Sequence, residues 1–330
     1  MADDPSPAAD PSPSADPAAD PSADPSLATP TRRRVMECAS WIGTGLVWTL
    51  AGGVPVTLAS LGEAAAAAGG FRFVQISDSH IGFRAPAYPD VAGTLAHAVA
   101  LARTMRGQAA FVLHTGDITH LSRPEEFDTA HQINQGVGMA IHHVPGEHDM
   151  LDPGKRRYLA RYGKGTKGMG WYSFDAGGAH FVGLVNVVET LPDGLWRLGS
   201  AQLAWLADDL RAVSSSTPVV VFAHVPLWSV YPPWGWGTAD APAAFALLRR
   251  FGSVTVLNGH IHQVLQKVEG DVRFHSALST AFPQPAPGSA PHPGPILTLK
   301  ADAVMRHLGI RTVTLRPGRS RLAIIDRTLA

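Results

Sequence analysis

The chain has 330 residues, of which 45% are hydrophobic and 16% are charged, and its 27 basic residues balance its 27 acidic ones. This apolar fraction is too high for a wholly disordered chain and is ordinary for a globular protein. The low, balanced charge does not indicate a nucleic-acid-binding protein. The single cysteine, Cys38, excludes a disulfide framework within one chain and any zinc site built from cysteines.

Residues 1–30 consist almost entirely of Asp, Pro, Ser and Ala, with six Asp and no basic residue. Such a segment has too little apolar surface to offset the entropy that it would lose on ordering. We therefore predict that residues 1–30 form a disordered tail.

Residues 31–68 have the pattern of an export signal. Three consecutive arginines, Arg32 to Arg34, precede a weakly apolar run at 38–61, and small residues follow as far as Ala68. A basic start, an apolar middle and small residues at the end are typical of a cleaved signal, and paired arginines resemble a twin-arginine signal. The run also reaches the ~20 residues of a membrane span. An uncleaved anchor is therefore the alternative, although Pro55 argues against it, and a buried core helix is a third reading.

Cleavage near Ala68 leaves residues 69–330, a common size for a single α/β enzyme domain. Residues 1–68 carry eight acidic and three basic residues, so the remainder carries 19 and 24, a net charge of +5. All 15 histidines lie in this remainder, which has no cysteine. The pattern predicts an exported protein, periplasmic or extracellular, that contacts the membrane transiently through its signal.

From residue 71 onward, short β-rich runs alternate with longer helical patterns, which predicts an α/β architecture. Ser200 is the predicted cap of one helix. Buried strands are predicted at 71–76, 111–113, 141–144, 219–223 and 254–257, helices at 91–105, 125–135, 200–213 and 241–250, and strand pairs at 264–269 with 272–275 and 312–315 with 322–325.

Each of the five predicted buried strands runs into Asp, Glu or His. In open α/β sheets, ligands bind at the carboxyl ends of the strands, so we expect these side chains to lie together. In chain order they are Asp78 and His80, then Asp117, then Glu147, His148 and Asp149, then His224, and finally His260 and His262.

Histidine and carboxylate ligands without cysteine suit zinc, manganese or iron. Two such ions about 3.5–4 Å apart can clamp a phosphoryl group and generate a hydroxide nucleophile. Two ions need roughly seven or eight protein ligands, and the strand ends supply seven, with His148 left over for acid–base work. His120, which follows the Gly-Asp turn, is a further candidate for facing the pocket.

The motifs that carry these residues resemble the calcineurin-like metallophosphoesterase family. They are Asp-x-His at 78–80, Gly-Asp at 116–117, Gly-x-His-Asp at 146–149, a lone His at 224 and Gly-His-x-His at 259–262. The resemblance implies a four-layer α/β/β/α sandwich with mixed sheets. It also implies a phosphomonoesterase or phosphodiesterase that uses two divalent or mixed-valence ions of Fe, Mn or Zn, with a metal-bound hydroxide as the nucleophile.

The resemblance also implies a role for each residue. Asp78, His80 and His262 would hold the first metal, Glu147, His224 and His260 the second, and Asp117 would bridge both. His148 would protonate the leaving oxygen or bind the phosphate, and Asp149 would orient the His148 ring, since a carboxylate fixes a histidine tautomer.

Glu147 departs from the family pattern, which has Asn at this position. Two divalent ions, Asp78, Asp117 and a bridging hydroxide carry a net charge of +1, which Glu147 reduces to zero. We expect this change to shift the metal preference, including towards a trivalent ion, and to weaken anion binding. The alternatives are that Glu147 does not coordinate and the second site is weak or empty, or that the protein binds metal with weak or lost hydrolase activity.

The expected partner is a small phosphate ester and not a nucleic acid, because residues 69–330 contain no long basic run. Sequence does not define the oligomeric state. An aromatic segment at 228–236 either covers the metals and stacks on a leaving group or packs on its own domain. A Pro-rich segment at 282–288 shapes the pocket rim or spans the surface.

Overall fold

The computed structural model describes residues 48–51, 54–57, 70–316 and 321–330. The predicted tail at 1–30 and most of the predicted signal at 31–68 lie outside these residues, so both stay predictions. Within the signal segment, strands β1 (Trp48–Ala51) and β2 (Val54–Thr57) pair antiparallel with each other. None of the helices in the described ranges is both long enough and apolar enough to cross a membrane.

The rest of the described chain alternates strands and helices. The strands are β3 (Phe71–Ile76), β4 (Phe111–Thr115), β5 (Ala140–Val144), β6 (Tyr172–Ala176), β7 (Ala179–Gly183), β8 (Val219–Phe222), β9 (Val254–Asn258), β10 (Gln266–Glu269), β11 (Val272–Ser276), β12 (Gly309–Leu315) and β13 (Ala323–Thr328). The helices are α1 (Val91–Arg103), α2 (Pro124–Gln135), α3 (Arg156–Tyr162), α4 (Ser200–Arg211), α5 (Ala241–Leu248) and α6 (Ala301–Val304).

Strands β3 to β13 form two mixed sheets. The first has the order β13-β12-β3-β4-β5, and the second has the order β10-β11-β9-β8-β7-β6. In the first sheet β3, β4 and β5 are parallel, and in the second β7, β8, β9 and β11 are parallel. Antiparallel strands flank both parallel sets, so each sheet is mixed as the family resemblance implies.

The layers follow from the alternation of side chains along each strand. In β8, Val219 and Val221 pack in one apolar cluster with Leu206 of α4 and Leu248 of α5. The intervening side chain of Val220 belongs to a different cluster, which lies between the two sheets.

Aromatic rings fill the space between the sheets. The ring of Phe73 on β3 lies 5.3 Å from that of Phe181 on β7, edge to face, and Phe111 on β4 is also 5.3 Å from Phe181. On the outer face of the first sheet, Val74 and Val112 share a cluster with residues of α1 and α2. The arrangement is helix, sheet, sheet, helix, which confirms the predicted four-layer α/β/β/α sandwich.

Two local details differ from the sequence predictions. Helix α4 begins at Ser200, but its cap is Gly199, and no side chain caps it locally. The backbone amides of Leu198 and Gly199 instead donate to the Asp240 carboxylate at 2.8 and 2.9 Å. The prediction of a Ser200 cap is therefore wrong, because Ser200 is the first helical residue and Gly199, with a φ of 83°, holds the cap position. The hairpin of β6 and β7 was not predicted.

Candidate metal centre

The carboxyl ends of strands from both sheets meet at one place. The turns after β3 and β4 carry Asp78, His80 and Asp117, and a 3-10 turn after β5 (Glu147–Met150) begins with Glu147. His224 follows β8, and His260 and His262 follow β9. The structure thus brings together all seven predicted ligands: six form two groups of three, and Asp117 joins groups that overlap both, with the ligand atoms of each group within 4.8 Å of one another.

The backbone at these ends is sharply turned. Asp78, His80, Asp117, His260 and His262 have φ of 54°, 41°, 49°, 67° and 53°, in the left-handed region. For residues other than glycine this conformation costs about 1–2 kcal/mol each. Strain of this kind persists where the surrounding structure enforces it and is concentrated at functional sites.

A glycine lets two ligand-bearing turns approach each other. A Cβ on Gly259 would lie 2.1 Å from Ser77 Oγ and 2.4 Å from Asp78 Oδ2. Only glycine fits there without moving a ligand, so the glycine of the Gly-His-x-His motif has a packing role.

The first group contains Asp78, His80 and His262. The Asp78 Oδ1 and His262 Nε2 atoms are 3.2 Å apart, and His80 Nε2 is 3.2 Å from His262 Nε2. All three side chains are almost fully buried. Three ligand atoms this close, two of them imidazole nitrogens, match the donors of a zinc, manganese or iron site.

The second group contains Glu147, His224 and His260. Glu147 Oε2 is 3.0 Å from His224 Nε2, and Glu147 Oε1 is 3.0 Å from His260 Nδ1. The side chain of Glu147 retains 20% of its exposure, whereas that of His224 is fully buried. Glu147 therefore lies among the second-site ligands, which disfavours the alternative that it plays no part there.

Asp117 lies between the two groups. Its Oδ2 is 3.4 Å from His80 Nε2 in the first group and 3.3 Å from His224 Nε2 in the second. Its Oδ1 accepts a hydrogen bond from the backbone amide of His148 at 3.0 Å. One carboxylate oxygen thus faces both positions, as a bridging ligand must.

Several buried polar atoms of the cluster lack hydrogen-bond partners outside it, as the ligand atoms of a bound cation would. Among the described residues, the buried atoms Asp78 Oδ2 and His260 Nε2 make no hydrogen bond, and Glu147 Oε2 and His224 Nε2 contact only other charged groups of the cluster. Buried polar atoms are almost always satisfied, so unsatisfied ones need an explanation such as an ion. The donor set and these atoms fit two metal ions.

The electrostatics of the metal-free cluster lead to the same conclusion. Burial alone would raise the pKa of Glu147, but His260 and His224 hold it well below its usual range. Burial likewise opposes charge on His224, yet Asp117 and Glu147 raise the pKa of that ring well above its usual value. The carboxylate of Glu147 therefore stays charged and favours a proton on His224, and metal binding displaces such a proton.

Backbone carbonyls set the orientation of several rings. His224 Nδ1 donates to the carbonyl of Thr115 at 2.7 Å, and His262 Nδ1 donates to that of Phe282 at 2.5 Å. Each bond leaves the Nε2 lone pair pointing at the cluster, which is the common support for a metal-binding histidine. Nothing in the residue types of Thr115 and Phe282 identifies this role, because the main chain performs it.

His148 lies beside the cluster with one free ring nitrogen. Its Nδ1 donates to the carbonyl of His120 at 2.7 Å, and its ring stacks on that of His120 with centroids 4.8 Å apart. Burial lowers the pKa of His148, but Asp117 and Glu147 raise it above its usual value. His120 thus faces the site and orients His148.

The predicted contact between Asp149 and the His148 ring is not formed. Asp149 Oδ2 accepts from the amides of Gly146 and Ile118, both at 3.0 Å, and Oδ1 accepts from the Thr119 amide and hydroxyl, both at 2.8 Å. Burial and the charge of Asp117 raise the pKa of Asp149 to about 6. The orienting role predicted for Asp149 is therefore wrong, because its oxygens are occupied in joining the turns after β4 and β5.

The Pro-rich and aromatic segments touch each other, and the Pro-rich segment reaches the metal cluster. The ring of Phe282 lies 4.8 Å from that of His80 and 4.7 Å from that of His262, so the Pro-rich segment forms a wall of the site. A Cβ on Gly288 of this segment would be 3.2 Å from the Tyr231 hydroxyl of the aromatic segment. Within the aromatic segment, Trp236 is 1% exposed, so part of it packs on its own domain.

Comparison with known proteins agrees with this geometry. The calcineurin-like phosphoesterase profile matches residues 71–264. A 3′,5′-cyclic-nucleotide phosphodiesterase of Nostoc sp. is 25% identical over 181 residues, which cover 54% of this chain and 65% of that protein, just under two thirds of its length. A probable cyclic nucleotide phosphodiesterase of Rhodopseudomonas palustris is 26% identical over 262 residues, covering 72% of this chain and 91% of that protein.

Among solved structures, a dimetal phosphatase from Danio rerio superposes with a TM-score of 0.60 at 17% identity, covering 79% of this chain and 96% of that one. At this identity the likeness concerns the fold. Fold and site together define the class, a calcineurin-like phosphoesterase fold with a ligand set suited to two metal ions. The chain belongs to the calcineurin-like phosphoesterase family, and its family membership and ligand set support a metal-dependent phosphoric ester hydrolase.

Proposed function

We propose that this protein hydrolyses small phosphodiesters, with 3′,5′-cyclic nucleotides as the substrate class to test first. The observation that carries the proposal is the convergence of two histidine and carboxylate groups on a shared Asp117. The two cyclic-nucleotide phosphodiesterase relatives favour a diester over a monoester. When bound, two divalent ions of the zinc, manganese or iron type supply a nucleophile at neutral pH and neutralise charge on the phosphoryl oxygens.

The residues of the chain have distinct roles in this proposal. Asp78, His80 and His262 would hold one ion, Glu147, His224 and His260 would hold the other, and Asp117 would be shared between them. His148 donates a proton to the leaving oxygen from Nε2, because its Nδ1 is held by the His120 carbonyl.

The test is hydrolysis by metal-free protein reconstituted with Mn²⁺, Zn²⁺ or Fe²⁺. Bis(4-nitrophenyl) phosphate, 3′,5′-cyclic AMP and 4-nitrophenyl phosphate serve as substrates, and Glu125→Gln, an exposed change on α2, serves as the control variant. We expect metal-dependent cleavage of the two diesters, faster than that of the monoester. Metal uptake without cleavage of any ester would contradict the proposal and favour the alternative, a metal-binding protein in which Glu147 has weakened or abolished hydrolysis.

We also propose that the protein is exported through a twin-arginine-type signal at 31–68. The three arginines followed by an apolar run support this proposal. Fusing residues 1–68 to a reporter that is active only after export tests it, with Arg32, Arg33 and Arg34 changed to Lys as the matched variant. Export that does not depend on these arginines would contradict the twin-arginine proposal, and retention of the uncleaved segment would favour a membrane anchor.

A further inference from the structure

The two halves of the centre contain the same kinds of donor. Each has two imidazoles and one carboxylate of its own, and each shares the carboxylate of Asp117. Asp78 supplies the separate carboxylate of the first half, and Glu147 supplies that of the second. An amide at position 147 would present a neutral oxygen instead, so the equality of the two halves depends on this one side chain.

The geometry of Glu147 allows it to act as the counterpart of Asp78. Its two oxygens reach both histidines of the second half at 3.0 Å, and Asp78 Oδ1 approaches His262 of the first half at 3.2 Å. Glu147 starts from a 3-10 turn after β5, whereas Asp78 lies in a tight turn with positive φ.

We propose that Glu147 makes the two metal positions equivalent in donor type and charge, so that the chain holds two ions of the same kind with matched affinity. Equal donor sets give neither position a preference for a softer ion or for a higher charge. The inference rests on the proposed dinuclear centre but not on hydrolysis.

The test uses metal-free protein titrated with Mn²⁺, followed by calorimetry and by electron paramagnetic resonance. Glu147→Gln and Asp78→Asn are reciprocal variants, since each neutralises the separate carboxylate of one position. Each should hold its first Mn²⁺ at the untouched position with affinities that agree within about fivefold. Each should bind the second Mn²⁺ at least about tenfold more weakly than the wild type and lose the signal of a spin-coupled pair.

The exposed Glu125→Gln variant should bind like the wild type. A difference beyond fivefold between the first-ion affinities of the reciprocal variants would overturn the proposal, as would unchanged binding by Glu147→Gln. Circular dichroism without metal checks folding, because Asp78 Oδ1 also accepts the His260 amide at 3.0 Å. If Asp78→Asn does not fold, the proposal is tested by comparing the affinity of Glu147→Gln for its second Mn²⁺ with that of the wild type.

The outcomes also separate this inference from the proposed function. Protein that binds Mn²⁺ as expected but cleaves no ester would refute the function and leave the inference standing. Protein that binds no metal would refute both.

Discussion

Replacing Asp117 by Asn removes one negative charge from both halves of the centre at once. Asp117 Oδ2 lies 3.4 Å from His80 Nε2 and 3.3 Å from His224 Nε2, so neither metal position keeps its full donor set. Loss of a group that merely supports a ligand costs about 10–100-fold in metal affinity. Applied to both positions, that range lowers the doubly loaded fraction at limiting metal by about 10²- to 10⁴-fold.

The fold should tolerate this change. Asn adopts the left-handed conformation found at Asp117, whose φ is 49°, and its amide oxygen still accepts the His148 amide.

The measurements are metal per chain by mass spectrometry after dialysis and hydrolysis of bis(4-nitrophenyl) phosphate at limiting Mn²⁺. Asp208→Asn is the matched control, because Asp208 lies on α4 with 69% of its side chain exposed. An Asp117→Asn protein that retains two ions per chain and wild-type hydrolysis would refute the assignment of Asp117 as the bridge.

Three further predictions concern proton transfer, pH and metal. His148→Gln should slow cleavage of an alkyl diester by about 10²–10⁴-fold but slow the 4-nitrophenyl ester much less, since only a basic leaving oxygen needs a proton; equal slowing would contradict the acid role. Burial lowers the pKa of His180, but hydrogen bonds to Asp209 at 2.9 Å and to Asp175 at 2.8 Å raise this pKa overall. Charged His180 therefore stabilises the fold at pH values below the pKa of histidine in the unfolded chain, about 6.5. At pH 6, urea titration should give the wild type an unfolding free energy about 1.5–3 kcal/mol higher than that of His180→Gln. This difference should shrink as the pH rises through the raised pKa of His180, and a difference that stays constant with pH would contradict the prediction. Finally, Mn²⁺ at about 100 times its Kd should stabilise the protein by about 2.7 kcal/mol for each ion bound, and an unfolding temperature that chelation leaves unchanged would count against metal binding.

Much of the sandwich follows from local pattern. The strand predicted at 71–76 has the same bounds as β3. The strand predicted at 111–113 continues slightly further in the structure, where β4 ends at Thr115. Buried parallel strands are short, continuous apolar runs, which makes them easy to find. The hairpin of β6 and β7 was missed although Gly177 and Gly178 join two alternating runs, and such a glycine pair is a hairpin signal.

Sheet order was beyond sequence reasoning, because it depends on contacts between distant residues. Arg311 on β12 is fully buried, pairs with Asp326 of β13 at 2.7 Å and reaches the Ser276 carbonyl of the other sheet at 2.7 Å. No local pattern indicates that β12 lies between β13 and β3.

The ligand residues were accessible from sequence because they follow predicted strands, whereas their supports were not. The carbonyls of Thr115, His120 and Phe282 act through the main chain, which residue identity does not reveal. Asp149 was predicted to serve its sequence neighbour His148, but in the folded chain it binds the amides of two turns.

The left-handed backbone at five of the ligands also limits how the protein can be engineered. At His80, for example, Gly would relieve about 1 kcal/mol of conformational cost in the metal-free chain while deleting a donor. The same change would remove a buried ring that packs against Phe282 and His262, so the stability of the metal-free variant would depend on the balance of these two effects and not on the donor itself. A thermostable variant that keeps its chemistry has to be selected in the presence of the ion or altered far from these turns.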